Sequence, residues 1–213
     1  MKYSVTTLVL GFFAALSAAA PTPAGDDVDH SQIYIKSAGY AGSGCPAGSV
    51  YVSPSDDKQS ISLAFDHYVA SIGPGITIDK NRRNCLININ LHYPEGYQYA
   101  LYQTDYTGFA NLDPGVTATQ QADYWFNGPR GTFQTTWKGQ YTDTFTLHDV
   151  ITVESYVWSP CSGATATLNI NTQVYLTLNH ERGSSPNPSG SITTDSIQNK
   201  VIQSYGVSWR KCH

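Results

Sequence analysis

The chain has 213 residues, of which 13% are charged, and a formal net charge of −4 at pH 7. That balance leaves no basic face to attract nucleic acid or anionic lipid, so neither is an expected partner. Fifteen tyrosines and eleven prolines, beside a single Met, favour strands and turns over helices.

The chain opens with a leader. Met1 and Lys2 precede an apolar stretch from Val5 to Leu16 and the small residues Ser17, Ala18, Ala19 and Ala20. This is the pattern of a secretory signal peptide, too short to span a bilayer. Residues 1–19 are expected to be cleaved off, residues 20–31 to form a flexible polar tail, and residues 32–213 to fold as a single domain. The mature form should be secreted and extracellular. No second apolar segment and no hydrophobic tail follow, so no membrane anchor is expected. No Asn-x-Ser/Thr sequon is present, which predicts a product without N-linked glycan.

Period-two hydrophobicity dominates the remainder. Residues 60–70 place Ile61, Leu63, Phe65, His67 and Val69 on one face and Ser62, Ala64, Asp66 and Tyr68 on the other. Residues 85–93 set Ile87, Ile89 and Leu91 against Asn88, Asn90 and His92. Further strands are predicted over 97–109, 116–126, 149–159 and 165–178, with turns at Gly73-Pro74-Gly75, Pro94-Glu95-Gly96 and Asn127-Gly128-Pro129. The polar run 183–191 reads as a surface loop before the final strand or strands. Together these predict an all-β fold, a single antiparallel β-sandwich or jelly-roll-like domain.

Four cysteines, Cys45, Cys85, Cys161 and Cys212, allow three pairings, and sequence alone does not choose among them. Sequential pairing, Cys45–Cys85 and Cys161–Cys212, is the expectation, because it closes two independent loops and ties down the C-terminus. No Cys-x-x-Cys or His-x-x-x-His spacing suggests a metal site, and no cofactor is expected.

Several runs taken together resemble one family. They are Gly42-Ser43-Gly44-Cys45-Pro46, Phe65-Asp66, Gly73-Pro74-Gly75, Arg83-Asn84-Cys85 leading into Asn88-Ile89-Asn90-Leu91, Tyr93-Pro94-Glu95-Gly96-Tyr97, Asp105-Tyr106-Thr107-Gly108 and Trp158-Ser159-Pro160-Cys161. The chain is similar to a group of small secreted, mostly fungal proteins catalogued as domain of unknown function number forty-three sixty, and the likeness runs from about Tyr40 to Cys212. The resemblance implies a secreted β-protein with two disulfides and carries over no catalytic residue.

Catalytic readings must therefore stand on chemistry. Gly42-Ser43-Gly44 lacks the spacing of a nucleophile elbow. Glycoside hydrolysis needs two carboxylates held several ångströms apart; the glutamates are Glu95, Glu154 and Glu181, with Asp66 and Asp105 in the family-like motifs. His30 lies well past the signal junction, so it does not match the N-terminal histidine of copper-dependent polysaccharide oxygenases.

A binding role has a more definite footing. If residues 149–159 form one strand, Ile151, Val153 and Val157 face inward, leaving Thr152, Glu154, Tyr156 and Trp158 on a candidate ligand face. Aromatic rings beside hydrogen-bonding groups grip sugar rings by stacking and a few oriented polar contacts. Asp66, Asn88, Asn90 and His92 form a second candidate polar set. Tyr124, Trp125, Phe126 and Trp137 are expected in the core. The predicted function is non-catalytic binding of an extracellular polysaccharide or another cell-surface ligand. The alternative is a hydrolase of wall polymers acting through Asp and Glu residues.

Overall fold

The structure is a computed structural model that describes residues 28–66, 68–161, 164–179, 185–193 and 201–212. The expected signal peptide and most of the expected tail lie outside the described residues. Twelve strands are described among these residues: β1 (Tyr34–Ala41), β2 (Val50–Pro54), β3 (Ser60–Phe65), β4 (Val69–Ile72), β5 (Arg82–His92), β6 (Tyr97–Leu112), β7 (Val116–Trp125), β8 (Arg130–Lys138), β9 (Tyr141–Val150), β10 (Thr165–Leu178), β11 (Gly190–Thr193) and β12 (Val201–Lys211). They form two antiparallel sheets packed face to face. The smaller has the order β1-β5-β10-β7-β8. The larger has seven strands, ordered β2-β3-β12-β6-β11-β4, with β9 paired to the other edge of β6.

Alternation explains which residues meet between the sheets. On β5, Cys85, Ile87, Ile89 and Leu91 are buried while Leu86 and Asn88 are exposed. On β10, Ala166, Leu168, Ile170, Val174 and Leu176 point inward. The larger sheet answers with Ile61, Leu63 and Phe65 from β3, Tyr106, Ala110 and Leu112 from β6, and Tyr205, Val207 and Trp209 from β12. A polar seam crosses this interior: Thr172 on β10 accepts hydrogen bonds from Gln120 on β7 and Gln203 on β12, both at 3.0 Å. The strands need tight connections, and Gly96 (φ 78°) and Gly115 (φ 95°) supply the left-handed backbone for the β5–β6 and β6–β7 turns.

Both expected disulfides form. Cys45–Cys85 joins the loop after β1 to β5, and Cys161–Cys212 joins the segment beyond β9 to the end of β12, with Cα–Cα distances of 5.6 and 5.8 Å.

Two predicted strands need correction. The run 60–70 is two strands, β3 and β4. Phe65 and Tyr68 are both buried, so the inward spacing is three there rather than two, and Val69 turns outward with 41% exposure. The Asp66 N–H bonds to the Ser49 carbonyl, in register with the Val50–Phe65 pair, so the β2–β3 pairing closes there. His67 lies outside the described residues. The run 149–159 is not a strand either, because β9 ends at Val150. Ile151 N–H then bonds to the Tyr102 carbonyl, a 3-10 turn occupies Val153–Ser155, and Trp158 returns to the sheet as a single bridge opposite Ala100. Of the expected core aromatics, Tyr124, Phe126 and Trp137 are buried, whereas Trp125 lies half-buried on the outer face.

Candidate functional site

Because Trp158 re-enters the larger sheet beside Ala100, its side chain falls on the outer face and the next residue, Ser159, points inward and is buried. Ser159 is fixed there: its Oγ accepts from the Tyr99 N–H at 3.0 Å and its carbonyl accepts from Gln98 Nε2 at 2.7 Å. The anchored serine holds Trp158 in place. The Arg210 guanidinium stacks over the indole at 3.9 Å from the ring centre, and Arg210 Nε donates to Gln98 Oε1 at 2.7 Å. Tyr156 lies beside Trp158, ring centres 5.8 Å apart and planes tilted by 57°.

A third ring adjoins the pair. At Tyr102 β6 carries an extra residue relative to β12, and Gly206 opposite leaves space for the phenol. A Cβ at position 206 would lie 2.8 Å from Tyr102 Cε1, so glycine is what lets that ring lie down on the sheet. Burial raises the Tyr102 phenol above its ordinary pKa, with Asp105 and Asp57 adding to the effect. Burial also raises Tyr156, followed by Tyr102 and Glu154 as nearby negative or ionisable groups. Both hydroxyls are therefore held as donors. Tyr102, Tyr156 and Trp158 are each half-buried, with one side against the sheet and the other open.

Further along the same face, His148 Nδ1 on β9 contacts Asp105 Oδ1 on β6 at 2.5 Å, and both side chains are substantially exposed. The adjacent carboxylate, Asp149, alternates to the opposite side of the strand, where it accepts from Thr135 Oγ1 of β8 at 3.1 Å. His148 therefore has no carboxylate beside it on β9 facing the same way.

The predicted ligand residues fall in four places. Tyr156 and Trp158 belong to the aromatic strip. Thr152 and Glu154 are exposed in and beside the 3-10 turn, rather than in line with the rings on a strand. Asn88, Asn90 and His92 occupy successive outward positions on β5 in the smaller sheet, on the opposite side of the sandwich. Asn88 Nδ2 donates to Asn169 Oδ1 at 2.6 Å, and Asn169 Nδ2 donates to the Trp125 carbonyl at 3.2 Å. In the same row Arg130 covers Trp125 at 4.3 Å from its ring centre. His92 packs on Tyr34 at 4.6 Å. Asp66, at the end of β3, joins neither group. Sequence reasoning missed Tyr102, Arg210 and His148. Tyr102 and Arg210 are read as site residues only once the β6–β12 register is known, and His148 only once β9 is recognised as a strand.

No helix among the described residues is long and apolar enough to cross a membrane, and no cluster of metal-ligating side chains occurs among them.

Two solved structures align with most of the chain at low scores. A carbohydrate-binding module, TmCBM61, solved in complex with beta-1,4-galactotriose, covers 83% of this chain and 90% of its own at 10% identity and a TM-score of 0.27. The enzymatically active domain of a bacteriophage CBA120 tailspike protein covers 82% of this chain and 19% of its own at 13% identity and a TM-score of 0.24. Scores this low carry no inference. The sequence relationship is much stronger. An uncharacterized secreted protein of Arthroderma benhamiae is 43% identical over 190 residues, which span 88% of this chain and 75% of the relative. With that relative and two disulfides, the protein is a secreted, extracellular one. The family model described as Domain of unknown function (DUF4360) matches residues 31–212, and the chain belongs to that family.

Proposed function

We propose that this secreted protein is a non-catalytic binder of extracellular polysaccharide, and that Tyr102, Tyr156 and Trp158 form its platform. One observation carries the reading: three half-exposed rings lie together on one outer sheet face, each held by the fold rather than left free to rotate. The bridge at Ala100 and the Arg210 contact fix Trp158, Gly206 seats Tyr102, and Tyr156 packs against Trp158. Pre-ordered rings lose little side-chain entropy when a pyranose stacks on them. The protonated phenols and the Arg210 fork offer oriented hydrogen bonds to sugar hydroxyls. A hydrolase acting at the same face has weaker support: His148 pairs with Asp105, and Asp149 beside it turns to the other side of β9.

The test is retention of the mature protein on insoluble glucan, mannan and chitin, compared with Tyr156→Ala, Trp158→Ala and the double variant. The double variant should lose at least tenfold in retention on whichever polymer holds the unmodified protein. Its stability should fall by about 1–2 kcal/mol, for the half-buried area and the cation–π contact together. Should the double variant fail to fold, Tyr156→Ala alone decides. Unchanged retention by a folded variant overturns the proposal, as does failure of the unmodified protein to bind any polysaccharide.

A further inference from the structure

The smaller sheet carries a depression of about 430 Å³ at the Arg82 end of its outer face, lined by Ile78, Asn81, Arg82, Gln173, Tyr175 and Leu176. That volume lies within the range of small-molecule sites. It is remote from the aromatic strip, which lies on the other sheet, so its chemistry is independent of the polysaccharide reading.

Register explains how the wall is built. Arg82 on β5 stands directly opposite Tyr175 on β10, both facing outward, and Gln173 is the next outward residue along β10. Gln173 is 7% exposed despite its outward position. Its Oε1 accepts from Arg82 Nη2, which holds the guanidinium in one orientation across the floor. A 3-10 turn, Ile78–Lys80, brings Ile78 to the rim with 86% of its surface exposed. Asn81 closes the side: its carbonyl accepts from the Leu176 N–H at 2.9 Å, while its buried Oδ1 has no hydrogen-bond partner among the described residues.

The charge is unusual for this molecule. Lys80, Arg82 and Arg83 fall in one short segment of a chain that has 12 Lys and Arg in all and a net charge of −4. Lys80 pairs with Asp79 at 3.5 Å. Arg83 donates to the carbonyls of Asp79 and Arg82, and neither Arg82 nor Arg83 meets a carboxylate among the described residues. An arginine held by an amide oxygen rather than by a carboxylate retains donors and a full charge for a planar anion. Tyr175 and Ile78 supply apolar surface for a sugar ring to rest on.

We propose that this depression binds an acidic sugar, a pyranose bearing a carboxylate, with Arg82 reading the carboxylate and Tyr175 stacking on the ring. A neutral sugar would leave the arginine's charge unanswered, and a bare inorganic anion would leave the aromatic and aliphatic walls unused.

The experiment titrates the full mature protein with digalacturonate, with its fully methyl-esterified form and with sodium sulfate, by calorimetry at low and at physiological salt. Digalacturonate should bind, weakening as salt rises, and the ester should bind at least tenfold more weakly. Arg82→Gln should lose at least tenfold in affinity, Arg82→Lys should lose less, and Tyr175→Ala should weaken digalacturonate without changing its salt dependence. Equal binding of acid and ester overturns the proposal, and this comparison needs only the unmodified protein should Arg82 variants fail to fold. Sulfate displacing digalacturonate at equal concentration also overturns it, by showing that only charge is read. The Tyr156→Ala, Trp158→Ala double variant should bind digalacturonate as the unmodified protein does, so failure at this site and failure at the aromatic strip are told apart.

Discussion

A single hydroxyl, that of Ser159, carries much of the positioning of the aromatic strip. Its Oγ takes the Tyr99 N–H in a fully buried setting and lies 3.4 Å from Tyr93 Oη. Ser159→Ala removes no volume to speak of but leaves a buried backbone donor without a partner, so stability should fall by about 1–3 kcal/mol in denaturant titration. The neighbouring Tyr99→Phe makes the contrast. Tyr99 Oη is buried and has no partner among the described residues, while its ring contacts with Tyr93, Phe126 and Trp209 would survive the change. Tyr99→Phe should therefore be neutral or stabilising. A loss from Tyr99→Phe as large as that from Ser159→Ala would show that the phenol has a partner after all. Nothing in the Trp158-Ser159-Pro160-Cys161 run predicts these roles, since Ser159 gains its acceptor duty only from β6, some sixty positions away in the chain.

At the level of elements, the strands that bury both an apolar run and a regular alternation were readable, and those with polar inward residues were not. β10 spans Thr165–Leu178, the range its pattern predicts, because Ala166, Leu168, Ile170, Val174 and Leu176 keep one phase throughout. β8 escaped notice because its inward set is Gly131, Phe133, Thr135 and Trp137, which places only two large apolar residues on the core side. The 149–159 run misled for the opposite reason: Ile151 and Val157 do pack toward the core, but from an irregular segment. Alternation also fixes inside against outside without saying which sheet a strand joins. The polar set on β5 and the rings at 156 and 158 were thus legible as outward groups, and only strand order shows that they lie on opposite faces. The β7–β8 pair offers a test at this scale. Gly131 lies against the buried Tyr124, and a Cβ there would sit 2.2 Å from Tyr124 Cζ. Tyr124 stacks on Phe133 at 5.4 Å, so it has little room to withdraw. Gly131→Ala should cost about 1–3 kcal/mol by overpacking, read as a lower melting temperature. An unchanged melting temperature would show that the ribbon can shift away from the sheet.

The whole molecule is tied by chemistry at its ends and filled by phenols in its middle. The two disulfides close loops of 40 and 51 residues, each contributing roughly 4 kcal/mol in the chain-entropy model. Between the sheets sit Tyr68, Tyr99, Tyr106, Tyr124 and Tyr205, all at 1% exposure or less. Burial is the leading cause that pushes each of these phenols upward in pKa. In the unfolded chain a tyrosine ionises near pH 10. Below that pH both states hold the proton, and the stability from burying neutral phenols is complete. Above it the unfolded chain releases protons that the folded chain retains, so stability falls as pH rises, by up to about 1.4 kcal/mol per pH unit for each phenol. Five such groups together remove about 7 kcal/mol per unit, comparable with the entire stability of an ordinary domain. The protein should therefore unfold in one narrow alkaline step beginning above about pH 10. In that step the tyrosinate absorbance of the core phenols and the loss of β-sheet circular dichroism should coincide. Replacing Tyr99 by Phe should move the step to higher pH, because one fewer buried phenol then draws the equilibrium toward the unfolded chain. A gradual ionisation of the buried tyrosines with the sheet signal intact would overturn the account, by showing that the phenols reach solvent without the sandwich opening.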